Sequence, residues 1–154
     1  MAERKKGKTG SRKSGSVFFH SQVKGFRLVG KAKTDEWILK VLKEEKKKGG
    51  EINFVFVDDE FLLGINRQYL KHDFYTDVIT FDWTEKNQTI SGDVYISIDR
   101  IKENAEKEKI PFITELRRVI VHGVLHLVGY KDKTISDKKK MTLAEDRYLA
   151  IFNS

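Results

Sequence analysis

The chain has 154 residues, no cysteine and a formal net charge of +7. That length serves one domain with its own core, and the absence of thiols excludes disulfides, thiolate clusters and a cysteine nucleophile, so any bound metal must rest on His, Asp or Glu. No apolar run reaches the length of a membrane span and no secretory leader opens the chain, which predicts a cytoplasmic protein without a membrane partner.

Residues 1–15 hold Arg4, Lys5, Lys6, Lys8, Arg12 and Lys13 against Glu3, a net +5, leaving only +2 for the rest. This Gly- and Ser-rich segment reads as a disordered basic tail, either a phosphate-binding arm or a solvating extension, ahead of a single domain over 16–154. Val17 to Phe19 is a first strand. Thr34 then caps a helix with Asp35 and Glu36 in its first turn and Trp37, Ile38, Val41 and Leu42 on its buried face, ended by Lys46-Lys47-Lys48-Gly49-Gly50. Ile52 to Val57 reads as a strand covered on both faces, and Asp58 or Asp59 starts a helix to about Leu70. A polar loop, 71–76, leads into a strand over Asp77 to Trp83, and after a turn around Lys86 to Ser91 a second strand, Gly92 to Ile98, completes a hairpin. Asp99 caps a helix over Arg100 to Lys109, Pro111 opens another to about Val128, and Ser136 or Asp137 starts the last, to about Phe152. The expected fold is α+β, with four strands in a small mixed sheet and about five helices.

The chemistry concentrates in His122-Gly123-Val124-Leu125-His126-Leu127-Val128-Gly129-Tyr130-Lys131-Asp132. Two histidines four apart share one helix face, within reach of one ion. Gly129 ends the helix in a left-handed turn that carries Asp132 back as a third ligand. Three protein ligands leave the fourth tetrahedral position for water, the arrangement of a catalytic zinc. The competing reading, two core histidines, is weaker, because the helix is apolar around them and offers neither ring a local partner.

The motif resembles the YbeY family of metal-dependent endoribonucleases, whose signature H-G-x-L-H-L-x-G-Y-D-H it matches except at the last two positions. The resemblance extends to Ile65-Asn66-Arg67-Gln68-Tyr69, Thr76-Asp77-Val78-Ile79-Thr80-Phe81 and Gly92-Asp93-Val94-Tyr95-Ile96-Ser97, and so covers roughly Ser16 to Phe152. It implies a zincin-like fold with the metal helix beneath the sheet, and a single-strand-specific endoribonuclease that matures the 3′ end of 16S rRNA and serves ribosome quality control. Implied partners are ribosomal RNA in the small subunit, with a ribosomal protein or an assembly GTPase, and the chain is expected to be a monomer. Two departures stand out. Asp132 replaces the family's third histidine, with Lys131 in place of an aspartate before it, and Leu70 stands where the family tends to carry an arginine. Arg67 and Lys71 are the nearby sources of positive charge.

Around the motif, Gly123 occupies the place of the general-base glutamate in H-E-x-x-H peptidases, which argues against a zinc peptidase and leaves the base unassigned. Asp77 is a cleft candidate, and it and Glu115 are the candidates for a catalytic role. Glu115, seven residues before His122 on the same helix face, is either an acceptor for a ligand imidazole N–H or an exposed or N-terminal-turn glutamate favoured by the helix dipole. Lys131, Lys133, Lys138, Lys139 and Lys140 are placed to steer a phosphate backbone toward the ion. Of Tyr69, Phe74, Tyr75 and Trp83, which offer stacking surfaces to unpaired bases, Phe74 and Tyr75 are expected to be exposed in their polar loop. Besides the endoribonuclease, two readings stay open: a zinc peptidase of related fold and a non-catalytic, zinc-containing ribosome-assembly factor.

Overall fold

A computed structural model describes residues 15–85 and 89–154. The expected tail and part of the turn near Lys86 lie outside the described residues. Among those residues the chain forms strands β1 (Ser16–Ser21), β2 (Gly49–Val57), β3 (Val78–Asp82) and β4 (Ile90–Ser97) and helices α1 (Lys31–Glu44), α2 (Asp59–Leu70), α3 (Ile98–Glu108), α4 (Phe112–Leu127) and α5 (Ile135–Asn153). The fold is α+β. The sheet is mixed, in the order β1-β2-β4-β3. β1 runs parallel to β2 and β2 parallel to β4, while β3 closes an antiparallel hairpin on β4 and forms an edge.

Alternation along β2 divides the molecule into two layers. Ile52, Phe54 and Phe56 point into the main core with Val94 and Ile96 of β4, against α1, α4 and α5. Val55 and Val57 point the other way, under Leu62 of α2. Within Ile52–Val57 only Asn53 is half-buried and the rest are buried, so this run is covered on both faces as its composition predicts, while Glu51 before it is exposed.

Helix starts differ from expectation by the local chemistry of the caps. α1 begins at Lys31, a turn before Thr34, whose buried hydroxyl donates 3.0 Å back to the Gly30 carbonyl instead of capping. Asp35 and Glu36 therefore lie beyond the first turn. Ser97, not Asp99, caps α3, accepting the Arg100 N–H, while Asp99 accepts the Asp59 N–H at 2.9 Å. α5 starts at a capping box made by Thr134 and Asp137. Asp58 caps α2 within the expected pair of residues.

α4 lies unusually close to the hairpin, and two glycines allow it. A Cβ on Gly123 would sit 2.7 Å from Val94 Cγ1, and one on Gly92 would sit 2.6 Å from the Phe81 carbonyl oxygen and 2.7 Å from Leu127 Cδ2. The glycine at the peptidase-base position thus has a packing cause: a glutamate there would have to occupy the sheet.

Candidate metal centre

α4 is apolar on most of its circumference. Leu116, Val119, Ile120, Val121, Val124, Leu125 and Leu127 are all buried. A proline as N-cap suits its start, since the missing N–H has no helical partner there. At its other end Gly129 takes φ 116°, the Gly129 N–H bonds to the His126 carbonyl at 3.0 Å, and the Tyr130 N–H bonds to the Leu125 carbonyl at 2.9 Å. This paired reversal is a Schellman turn. It brings Asp132 under the helix.

Three ligand atoms converge there. His122 Nε2 and His126 Nε2 lie 3.0 Å apart, and Asp132 Oδ2 lies 3.2 Å from His126 Nε2 and 3.4 Å from His122 Nε2. Four tetrahedral ligands about 2.0–2.1 Å from zinc stand about 3.3 Å from one another, so the spacing fits a small divalent ion. The other ring nitrogens decide the tautomers. His122 Nδ1 donates to Glu145 Oε2 at 2.6 Å, and His126 Nδ1 donates to the Tyr130 carbonyl at 3.0 Å. Both Nε2 lone pairs then face each other and a carboxylate oxygen, a repulsive arrangement that a cation or a shared proton between them relieves. His122, His126 and Asp132 form a group able to hold a metal ion.

Electrostatics point the same way. Burial opposes a charge on His122, but its bond to Glu145 and the negative charges of Glu145, Asp77 and Asp132 outweigh burial and hold the imidazole above its ordinary pKa. Glu145 is buried and is itself fixed by Arg118 Nη1 at 2.9 Å, while Arg118 Nη2 holds Asp146 at 3.0 Å. Tyr130 is tied down at its far end, its hydroxyl donating to Glu45 at 3.2 Å; Arg147 and Tyr148 also donate to that carboxylate.

The ligands open onto a cleft of about 470 Å³ walled by Asp77, Val78 and Thr80 at the β3 edge, by Leu70, His72 and Phe74 beyond α2, and by Lys133. Asp77 is half-buried; burial raises its carboxyl above the ordinary range, only partly offset by His122. Glu115 stands in the first turn of α4, as one of its expected roles has it, and does not serve as the imidazole acceptor. It is buried rather than exposed, it does not line the cleft, and the imidazole N–H groups are taken by Glu145 and the Tyr130 carbonyl instead. Glu145 was legible in principle as the one acidic residue among Met141, Ala144, Tyr148, Leu149 and Phe152 on the buried face of α5. Neither Arg67 nor Lys71 lines the cleft; Arg67 turns to Asp73 at 2.5 Å. Lys133 does line it, whereas Lys131 and Lys140 face a neighbouring groove beside Tyr130. His20 is exposed and near Asn53, remote from the cluster.

The domain as a whole is matched in known proteins. The family model "Endoribonuclease YbeY" fits residues 21–153. The chain belongs to the YbeY family. Its YbeY relatives include one from Flavobacterium psychrophilum, 51% identical over 76% of this chain and 83% of the relative, and one from Cytophaga hutchinsonii, 43% identical over 90% and 97%. A solution structure of a Thermotoga maritima protein superposes with a TM-score of 0.64 at 26% identity, covering 88% of each chain. Membership in YbeY makes the chain a hydrolytic endoribonuclease. No helix of the described residues is long and apolar enough to cross a membrane.

Proposed function

We propose that this YbeY is a zinc-dependent, single-strand-specific endoribonuclease of the cytoplasm that matures the 3′ end of 16S rRNA and serves ribosome quality control. It acts as a monomer on the small subunit, with a ribosomal protein or an assembly GTPase as partner. The observation that carries the reading is the inward convergence of two imidazole lone pairs and one carboxylate oxygen at 3.0–3.4 Å, at the floor of an open cleft.

His122, His126 and Asp132 would hold one zinc. When bound, the ion supplies Lewis-acid polarisation of a phosphate and an acidified water. Glu145 fixes the ring and proton of His122, and the Tyr130 carbonyl does the same for His126. Lys133 offers a cation to the phosphate backbone. Asp77, whose carboxyl pKa burial raises, stands on the cleft wall and is the candidate for proton exchange with substrate. Leu70 in the cleft wall favours the non-catalytic assembly factor as second reading, since it brings no charge where the family tends to have one. A peptidase is disfavoured by the contact that fills the place of its base at Gly123.

Incubating zinc-loaded chain with single-stranded RNA, duplex RNA and casein, beside a His126→Ala variant, tests the choice. Cleavage of single-stranded RNA alone, lost in the variant, is expected. Zinc retention with no cleavage of any RNA, including RNA within the small subunit, would favour the assembly factor.

A further inference from the structure

Among the aromatic side chains of the chain, Phe74 is exposed on a segment that is firmly held. The residue is 56% exposed, yet its backbone carbonyl accepts a 2.8 Å hydrogen bond from the side chain of Asn66, itself only 1% exposed. The Asn66 carbonyl in turn accepts the His72 N–H at 3.1 Å, and Lys71 between them takes a left-handed φ of 58°. The imidazole of His72 stacks on Phe74, with centroids 5.1 Å apart and planes 20° from parallel. No core packing accounts for this pair. Both rings line the same cleft as the metal-ligating group, with Lys133 also on its wall.

Tyr75, the next residue, is an internal contrast. It is exposed as well, but its hydroxyl donates to Glu60 at 2.6 Å and Arg100 sits 5.7 Å over its ring, so it is engaged with α2 and α3 and does not line the cleft. The two adjacent aromatics therefore have separate tasks.

We propose that Phe74, backed by His72, is the nucleobase-binding platform of the cleft: one unpaired base of the RNA next to the scissile phosphate stacks on the Phe74 ring while Lys133 meets the backbone. The proposal rests on the endoribonuclease reading. Stacking needs a π-face and not a particular hydrogen-bond pattern, so the platform selects an unstacked base without selecting its identity, and base-paired RNA is rejected because its faces are occupied. The buried Asn66 bridge holds the Phe74 backbone, and the His72 stack backs its ring, before substrate arrives, which lowers the ordering cost of binding.

The test uses the zinc-loaded full chain and a single-stranded 2′-O-methyl oligonucleotide carrying 2-aminopurine at successive positions, followed by fluorescence, together with steady-state cleavage of the unmodified RNA. Stacking on Phe74 quenches one position. Phe74→Ala is expected to abolish that quenching and to raise KM about tenfold with kcat little changed, Phe74→Trp to restore both, and Tyr75→Ala to leave both as they are. Zinc content stays the same throughout. An abasic site at the quenched position should weaken native binding and leave Phe74→Ala indifferent. Equal binding and cleavage by native and Phe74→Ala chains would overturn the platform while leaving the endoribonuclease intact, as would an equal loss with base-bearing and abasic strands. Failure of the native chain to bind or cleave any RNA would overturn the endoribonuclease reading and the platform with it.

Discussion

His122 Nδ1 and Glu145 Oε2 meet at 2.6 Å across two helices, 23 positions apart in sequence. The bond fixes which nitrogen of His122 carries the proton and so which one faces the ion. Glu145→Ala should weaken zinc binding about 10- to 100-fold, read by competition with a chromogenic chelator. Glu145→Gln, which keeps an acceptor oxygen, should lose less. Equal affinity in all three chains would mean that the bond does not orient the ligand.

Asp132→His should retain one zinc per chain. The Asp132 side chain is 42% exposed and enters from a turn, not from a packed helix, so a ring has room to replace the carboxylate. Metal analysis after purification without chelator reads the result. Loss of metal would show that the turn suits only the shorter side chain.

Glu115 predicts a dependence on pH. Burial raises its carboxyl pKa, the Asp77 carboxylate raises it further, and Arg118 opposes both. Because the folded-state pKa lies above the unfolded one, its contribution is fully present below the ordinary value of 4.5 and is lost as pH rises through the raised folded value. Glu115→Gln, neutral at every pH, should therefore raise the Tm at pH 7 to 8, and the gain over native should close toward pH 4.5. Thermal melts of metal-free chain across that range check the sign.

Gly123→Ala sets a better helix former against a clash. Alanine favours the helix by about 1 kcal/mol, but its Cβ would meet the fully buried Val94 at 2.7 Å, and overpacking of this kind costs about 1–3 kcal/mol. The net expectation is a destabilised chain. Urea melts of Gly123→Ala, Val94→Ala and the double variant should be non-additive, the double being more stable than the two single effects predict.

Residues 1–14 and the lysines of early α5 make separable claims about RNA. Deleting the former should flatten the dependence of affinity on salt, by about 0.7 in the logarithmic slope for each phosphate that the shortened chain leaves unneutralised. Replacing Lys138, Lys139 and Lys140 with glutamine should weaken binding near the metal cleft. If neither changes the slope, these charges only solvate the surface.

Much of the site was legible because its ligands are local. His122, His126, Gly129 and Asp132 lie within eleven residues, and helical geometry with the glycine turn that ends the helix brings them together. Glu145 could be marked as the lone acidic residue on the buried face of its helix, but its partner could not, and Glu45 could not be marked at all, since each reaches the site through packing between elements distant in sequence. Strand order was beyond reach for the same reason: β4 inserts between β2 and β3, and alternation reports a buried face without naming the neighbour. The helix starts that moved, at Thr34 and Asp99, did so because the Thr34 hydroxyl turns back to the Gly30 carbonyl from within its helix and the Asp99 carboxylate takes the Asp59 N–H. Leu70 was recognised in sequence as a departure, but that it lines the cleft while Arg67 turns outward to Asp73 needed coordinates.

Glu145 sits in the 19-residue helix that follows the motif, and its carboxylate completes the support of the first histidine. During synthesis the imidazoles leave the ribosome before that support does. A nascent chain stopped after Asp132 has all three candidate metal ligands but lacks the acceptor for His122, so the site is complete only once the final helix has docked.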